Sequence, residues 1–310
     1  MILLASLLLS HGHHFCVAEM TALADDEELV PRLEGDPWTV AGDPDLGPYT
    51  DPKQQPVDFG VWQAADGTWQ LWSCIRHTRC GGKTRLFHRW EGKALTDPAW
   101  EPKGIALEAD PGAGETPGGL QAPFVLKVDG RYRMFYGDWE QVRTATSDDG
   151  KTFTRADGRI SEAGGTNTRD PMVFSADGVW HCVWTAHPDN HGAVYSRISR
   201  DLQTWTDPKI IARGGAAGTG PYSAECPFVV RRSGYFYLFR TQRYGKDPQT
   251  TVYRSKDPRD FGVDDDRCRV GTLPLAAPEI VQHDGRDYIA YLLPSLKGIQ
   301  ISKLAWELKK

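Results

Sequence analysis

Three acidic residues stand at comparable places in the chain: Asp58, Asp170 and Glu225. Each precedes a short apolar run that ends in a tight turn. Asp170 lies in Asn167-Thr168-Arg169-Asp170-Pro171-Met172-Val173-Phe174. Glu225 precedes Cys226-Pro227, and Asp58 sits in Pro56-Val57-Asp58-Phe59-Gly60-Val61-Trp62. Taken singly, each acid could cap a strand or hold an ion pair. Gathered in one cleft, three carboxyl groups repel one another, and their pKa values must separate. Glycosidic-bond hydrolysis needs that separation: one carboxylic acid protonates the leaving oxygen, and a carboxylate attacks the sugar or activates water.

Convergence requires a repeat. The run after Asp170 turns at Asp177-Gly178 and returns as Val179-Trp180-His181-Cys182-Val183-Trp184, a strand, an Asp-Gly turn and a second strand. Equivalent hairpins turn at Asp66-Gly67, Asp129-Gly130, Ser233-Gly234 and Asp284-Gly285, and the five turns lie 63, 48, 56 and 51 residues apart. A second motif runs out of phase with the first. It reads Ser147-Asp148-Asp149…Phe153, Ser199-Arg200-Asp201…Trp205 and Ser255-Lys256-Asp257…Phe261, with a looser copy at Thr96-Asp97-Pro98-Ala99-Trp100. These read as structural turns, with Ser and Asp closing the backbone and the aromatic packing beneath. Repeats of this length, each of about four short strands, predict an all-β fold, a single five-bladed β-propeller. The tail from Gly298 reads as a last strand that pairs with the N-terminal lead-in and closes the ring.

In such a ring the first strand of each blade lines the central channel, and all five run in one direction. Their starts meet at one rim. Counting back seven or eight residues from each turn selects Asp58, Gln121 with Ala122, Asp170, Glu225 and Ala277. Second-strand ends return to the same rim and add Arg76, His77, Asp138, Trp139, His187, Arg240 and Gln242. Trp139 and Trp62 are candidate sugar contacts. Arg169 and Arg240 are candidates for orienting carboxylates or binding sugar hydroxyls. Cys182 and Cys226 read as buried apolar residues.

The chain has 310 residues, with 11 Trp, 11 Tyr and 11 Phe, enough for a large core. The net charge is −5, with no long basic run, which argues against nucleic acid and anionic membranes as partners. Residues 2–9 form an apolar run followed by Ala22-Leu23-Ala24, which reads as a signal peptide over 1–24 and predicts a secreted or periplasmic protein. Residues 25–57 read as a lead-in and 58–310 as the propeller. The pair Cys74 and Cys80 could bridge a loop in an oxidising compartment. No Cys/His pattern supports zinc, so no metal and no cofactor is expected.

Arg169-Asp170-Pro171-Met172-Val173-Phe174 and Glu225-Cys226-Pro227 resemble two signature motifs of the invertase and fructanase family, glycoside hydrolase family 32. The Ser199-to-Trp205 turn recurs there and in the related arabinanase and xylosidase family, glycoside hydrolase family 43. The resemblance covers roughly residues 55–300. It implies a five-bladed propeller glycosidase acting on a fructofuranoside, arabinofuranoside or xyloside. Glu225 is then the general acid, Asp170 the transition-state stabiliser that tunes the acid, and Asp58 the nucleophile in the retaining family or the general base in the inverting one. The Asn-Asp-Pro-Asn-Gly motif of family 32 is absent at blade one, and so is that family's C-terminal β-sandwich. A non-catalytic carbohydrate-binding propeller and a protein-interaction propeller are the alternatives. A sialidase fits less well, since it needs a Tyr nucleophile, an arginine cluster and usually six blades.

Overall fold

A computed structural model describes residues 27–160 and 167–309. The apolar N-terminal run lies outside the described residues. The chain forms five four-stranded antiparallel sheets. Blade one holds β2 (Gln55–Gln63), β3 (Trp69–Arg76), β4 (Leu86–Gly92) and β5 (Glu101–Leu107). Blade two holds β6 (Gln121–Val128), β7 (Arg131–Gly137), β8 (Val142–Ser147) and β9 (Thr154–Arg159). Blade three holds β10 (Arg169–Ala176), β11 (Val179–Ala186), β12 (Ala193–Ser199) and β13 (Lys209–Arg213). Blade four holds β14 (Glu225–Arg232), β15 (Tyr235–Arg243), β16 (Gln249–Ser255) and β17 (Arg269–Leu273). Blade five is composite. It takes β18 (Glu279–His283), β19 (Arg286–Leu292) and β20 (Gly298–Leu308) from the C-terminus and β1 (Leu29–Gly42) from the N-terminus.

The innermost strands close a ring. β2 touches β6, β6 touches β10, β10 touches β14, β14 touches β18, and β18 returns to β2. The tail pairs with the lead-in as expected, from Leu29 opposite Leu308 to Gly42 opposite Gly298. The lead-in therefore contributes the outer strand of a blade.

Local sequence explains the hairpins. Asp129-Gly130, Asp177-Gly178, Ser233-Gly234 and Asp284-Gly285 all have positive φ at both residues. That is the two-residue turn whose twist matches paired strands, and Asp with Gly tolerates it best. Blade one instead joins Gln63 to Trp69 through a longer loop.

The out-of-phase motif is structural. The Ser147 hydroxyl accepts from Gly150 N at 2.8 Å, and Asp149 accepts from the backbone of Lys151 and Thr152. Ser199 and Asp201 repeat the arrangement with Leu202, Gln203 and Thr204. The aromatic beneath each turn packs into the core between blades. Phe153 stands edge-on to both Trp62 and Trp72, and Phe261 is fully buried.

Cys74 and Cys80 are both free thiols, so the loop bridge is not formed. Cys74 is buried within a strand, and burial pushes its thiol up to about 12. Among the described residues, no helix is long and apolar enough to cross a membrane.

Candidate active site

The channel strands share one irregularity. Asp58, Ala122, Asp170 and Cys226 all have φ between 43° and 55°. Each sits in a register shift of its strand against the next, where the ladder skips a bond. Ala277, just before β18, has φ 54°. A left-handed residue inside a strand costs about 1–2 kcal/mol unless it is Gly or Asx. In blades two to five a proline follows: Pro123, Pro171, Pro227 and Pro278. Proline has no N–H, so it fits where the ladder is interrupted. The bulge twists the strand and turns the flanking side chains toward the rim.

This register refines the sequence count. Asp58 and Asp170 occupy the bulge position, whose equivalent in blade four is Cys226. Glu225 occupies the position before it, equivalent to Val57, Gln121 and Arg169. Those four residues line one cavity of about 420 Å³, together with Asp58, Arg76, Arg85, Trp139, Asn167, His187, Tyr222 and Tyr244. Equivalent positions on adjacent blades face each other. Arg169 accordingly donates from Nε and Nη2 to Glu225 Oε1 at 3.0 and 2.6 Å. Its Nη1 donates to Asn167 O at 2.6 Å, and its Nε lies 3.7 Å from Asp170 Oδ2. Gln121 donates to Asn167 Oδ1 at 2.9 Å, holding the segment before Arg169.

The structure brings Asp58, Asp170 and Glu225 to this one place. Asp170 is buried under the floor, and its Oδ2 accepts from Cys226 N at 2.9 Å. Burial, then the Asp58 charge, pushes its carboxyl well above the usual carboxylate range, against the pull of Arg169. Burial also raises Glu225, opposed by Arg169 and a hydrogen bond from Tyr244. Burial works against the Arg169 guanidinium, but Glu225 and Asp170 outweigh it, and the residue stays charged. The Asp58 and Cys226 side chains lie 3.5 Å apart, with Sγ the donor, and the Tyr244 hydroxyl is 3.4 Å from the same sulfur. Burial raises both the Cys226 thiol and the Tyr244 phenol, so each keeps its proton.

Asp58, Asp170 and Cys226 offer donor atoms within 4.8 Å of one another. Arg169 already supplies a cation beside Asp170.

Other candidates separate into two groups. Arg76, Gln121, Trp139, Arg169 and His187 line the cavity. Burial and then Arg169 lower the His187 pKa, which leaves the ring neutral at pH 7. Five candidates do not line it; among them Gln242 donates from Nε2 to Thr251 Oγ1 at 2.8 Å. Arg240 is completely buried and donates to Ser223 O at 2.7 Å and Gly218 O at 3.1 Å, so it braces the loop carrying Tyr222. Trp62 is buried between blades, donating from Nε1 to Gly150 O at 2.8 Å. His77 has φ 60°, points to solvent and lies outside the cavity lining. Asp138 is buried against Arg143.

Counting from turns missed Tyr222, Tyr244, Asn167, Arg85 and Glu279. Tyr222 and Arg85 sit on loops that no strand period selects. Glu279 opens β18, where burial and the Asp170 charge raise its carboxyl far above the ordinary value. It lies five residues before its turn, closer than the window of seven or eight.

The model of glycosyl hydrolases family 43 matches residues 90–267. The chain belongs to this family. Of the two families its motifs resemble, family 43 is the one matched, and this family 43 chain is a glycosidase. The match includes Asp170 and Glu225 and begins after Asp58. No curated protein matches the sequence. Solved structures with the same fold include a thermostable family-43 glycoside hydrolase at TM-score 0.62 and 17% identity, covering 84% of this chain and 96% of that one. An endo-arabinase from Bacteroides thetaiotaomicron VPI-5482 aligns at TM-score 0.61 and 15% identity, covering 84% and 97%. The GH43_1 enzyme from Xanthomonas citri complexed with xylotriose aligns at TM-score 0.62 and 15% identity, covering 86% and 91%.

Proposed function

We propose that this family 43 glycosidase cleaves a pentose-containing glycan, an arabinofuranoside or a xyloside, with inversion at the anomeric carbon. Glu225 is the general acid. Burial keeps it protonated above the ordinary glutamate range, and Arg169 with Tyr244 aims it. Asp58, part-exposed in the cavity, is the general base that activates water. Asp170 touches Arg169 and Cys226 from beneath and sets the field both acids feel. Tyr222, 58% exposed at the rim, offers a face for a sugar ring, as does Trp139 within the wall.

The observation that carries this reading is the single arginine spanning Glu225 and Asp170, with Asp58 across the same cavity. One carboxylic acid and one carboxylate about a sugar is the pair that glycosidic hydrolysis needs, and the product anomer tells inversion from retention. The test is a panel of aryl arabinofuranosides and xylosides, with the product anomer followed by NMR. Glu225→Gln and Asp58→Asn should each lose about 10²-fold or more in kcat, the range for an acid or base, while melting near wild type. Full turnover in either folded variant removes that residue from its role, and a product of retained configuration removes the inverting mechanism.

A further inference from the structure

We propose that the funnel wall carries an anion subsite, formed by Arg76 and Arg85, which selects glycans bearing a carboxylate or sulfate group close to the cleaved bond. The inference rests on the glycosidase reading above and names the substrate class of that same site.

Three guanidinium groups line the cavity. Arg169 is committed to Glu225 and Asp170. Arg76 and Arg85 are committed to no acid. Elsewhere in the first two blades the arginines beside acids pair with them: Arg79 with Asp51, Arg143 with Asp138, Arg155 with Glu115. Among the described residues, neither Arg76 nor Arg85 lies within ion-pair distance of a carboxylate. Arg76 Nε donates to the neutral Gln55 Oε1 at 2.8 Å. Arg85 Nε is buried with no partner, and its Nη1 reaches only Lys83 O at 3.5 Å.

Both cations are held rather than loose. Arg76 ends β3. The loop before β4 is pinned to blade two by Lys83 N donating to Pro117 O and Arg85 N donating to Gly118 O, each at 2.9 Å. The Arg85 guanidinium and the Lys83 ammonium then lie 4.6 and 4.5 Å from the centre of the Trp139 ring. A positioned guanidinium with unspent donors matches the two oxygens of a carboxylate or sulfate. Charge balance for the three acids does not explain these groups, because Arg169 already supplies it and the two wall arginines stand apart from them. An anionic glycan entering this funnel meets Asp58 and Glu225, and a cationic wall is what offsets that repulsion.

The test measures calorimetric binding to the Glu225→Gln protein. The probes are xylotriose bearing one glucuronate branch, its carboxyl-reduced form, xylotriose carrying one sulfate ester, and the arabinotriose counterparts of all three. On at least one backbone a charged probe should bind about 10-fold or more tighter than its neutral form, the size of one or two charge-assisted bonds. The preference should shrink at 0.5 M salt. Adding Arg76→Gln and Arg85→Gln, together or singly, should bring the ratio toward unity in proteins of unchanged melting temperature. Preference for the uronate probes alone, or for the sulfate probes alone, assigns the source of the anion. Equal affinity of charged and neutral probes, failure of every charged probe to bind, or a preference that survives both substitutions overturns the subsite. Wild-type cleavage is scored separately: failure to cleave any of the charged or neutral glycosides sinks the glycosidase roles, whereas cleavage without charge preference sinks the subsite alone.

Discussion

Arg169 divides one guanidinium between two carboxyl groups whose surroundings both favour the protonated form. Its charge keeps Glu225 from rising too far to release a proton, and it partly offsets the burial of Asp170. Asp170 still carries a cost. Its Oδ1 is buried with no hydrogen-bond partner, and its folded pKa lies above its unfolded value. The sign follows from proton binding. Between the unfolded value, about 3.9, and the raised folded value, the native state holds more protons than the unfolded chain. Stability therefore falls as pH climbs through that window. Asp170→Asn removes the group, so its melting temperature should exceed wild type at pH 7 by about 2–4 °C for each kcal/mol relieved, and the gap should close near pH 4. Activity should fall by about 10²-fold or more, because the field at Glu225 changes. Parallel melting curves for the two proteins from pH 4 to 8 would remove Asp170 as a strained acid. Residue types at this site were legible in the sequence, since an acid stands seven or eight residues before three of the five hairpin turns. The pairing of Arg169 with Glu225 was not. It depends on the two residues being equivalent across adjacent blades, each eight residues before its turn, and a window that accepts seven or eight blurs that by one position.

The bulge is the element that turns repeated strands into a site. β6, β10 and β14 begin one residue before a left-handed kink, β2 begins three residues before its own, and β18 follows its kink at Ala277; the kink sends consecutive side chains to floor and wall. Adjacent blades must then approach closely enough for one blade's wall residue to reach the next. Gly137, the last residue of β7, permits this. A Cβ there would stand 2.8 Å from both Arg169 Cα and Thr168 O. Neither atom is a flexible side-chain end, so Gly137→Ala must push the start of β10 outward by several tenths of an ångström. We expect a stability loss of about 1–3 kcal/mol. Turnover should fall by about 10-fold, short of the roughly 10²-fold of a 1 Å misplacement. Thermal melting and kinetics on one aryl glycoside check both, and unchanged turnover would show that β10 absorbs the strain without moving Arg169. Sequence displayed the strands and turns well, because Asp-Gly and Ser-Gly pairs fix two-residue hairpins locally. It displayed the loops poorly. Tyr222 and Arg85 are placed by loops whose course depends on tertiary contacts such as Arg240 with Gly218 and Ser223.

The five blades hold their acids face to face only while the ring is shut, and one blade is built from both ends of the chain. β1 and β20 pair over ten positions from Leu29–Leu308 to Gly42–Gly298. Their seam buries Leu29, Val30, Val40 and Ala41 on one side and Ile299, Ile301 and Leu304 on the other. Lys309 N donates to Glu28 O beyond the last pair. Nothing covalent joins these strands, so closure depends on hydrogen bonds and on side chains worth about 1.5–3 kcal/mol each when buried. The blades on either side lean on the seam: Trp306 of β20 packs against Tyr237 and Phe239 of blade four, and Trp38 of β1 donates from Nε1 to Leu95 O of blade one at 3.1 Å. Removing residues 300–310 strips most of β20, leaves β1 without a partner and exposes β19 as an edge. The whole ring should weaken together, since each inner strand touches the next and the last returns to the first. We expect the melting temperature to drop by more than about 10 °C, several kcal/mol at the 2–4 °C per kcal/mol of a domain this size. Turnover should vanish at temperatures where the intact protein is active. A truncated protein that melts with the full-length chain would mean that the seam contributes little and that inner-strand contacts alone hold residues 58, 170 and 225 in register.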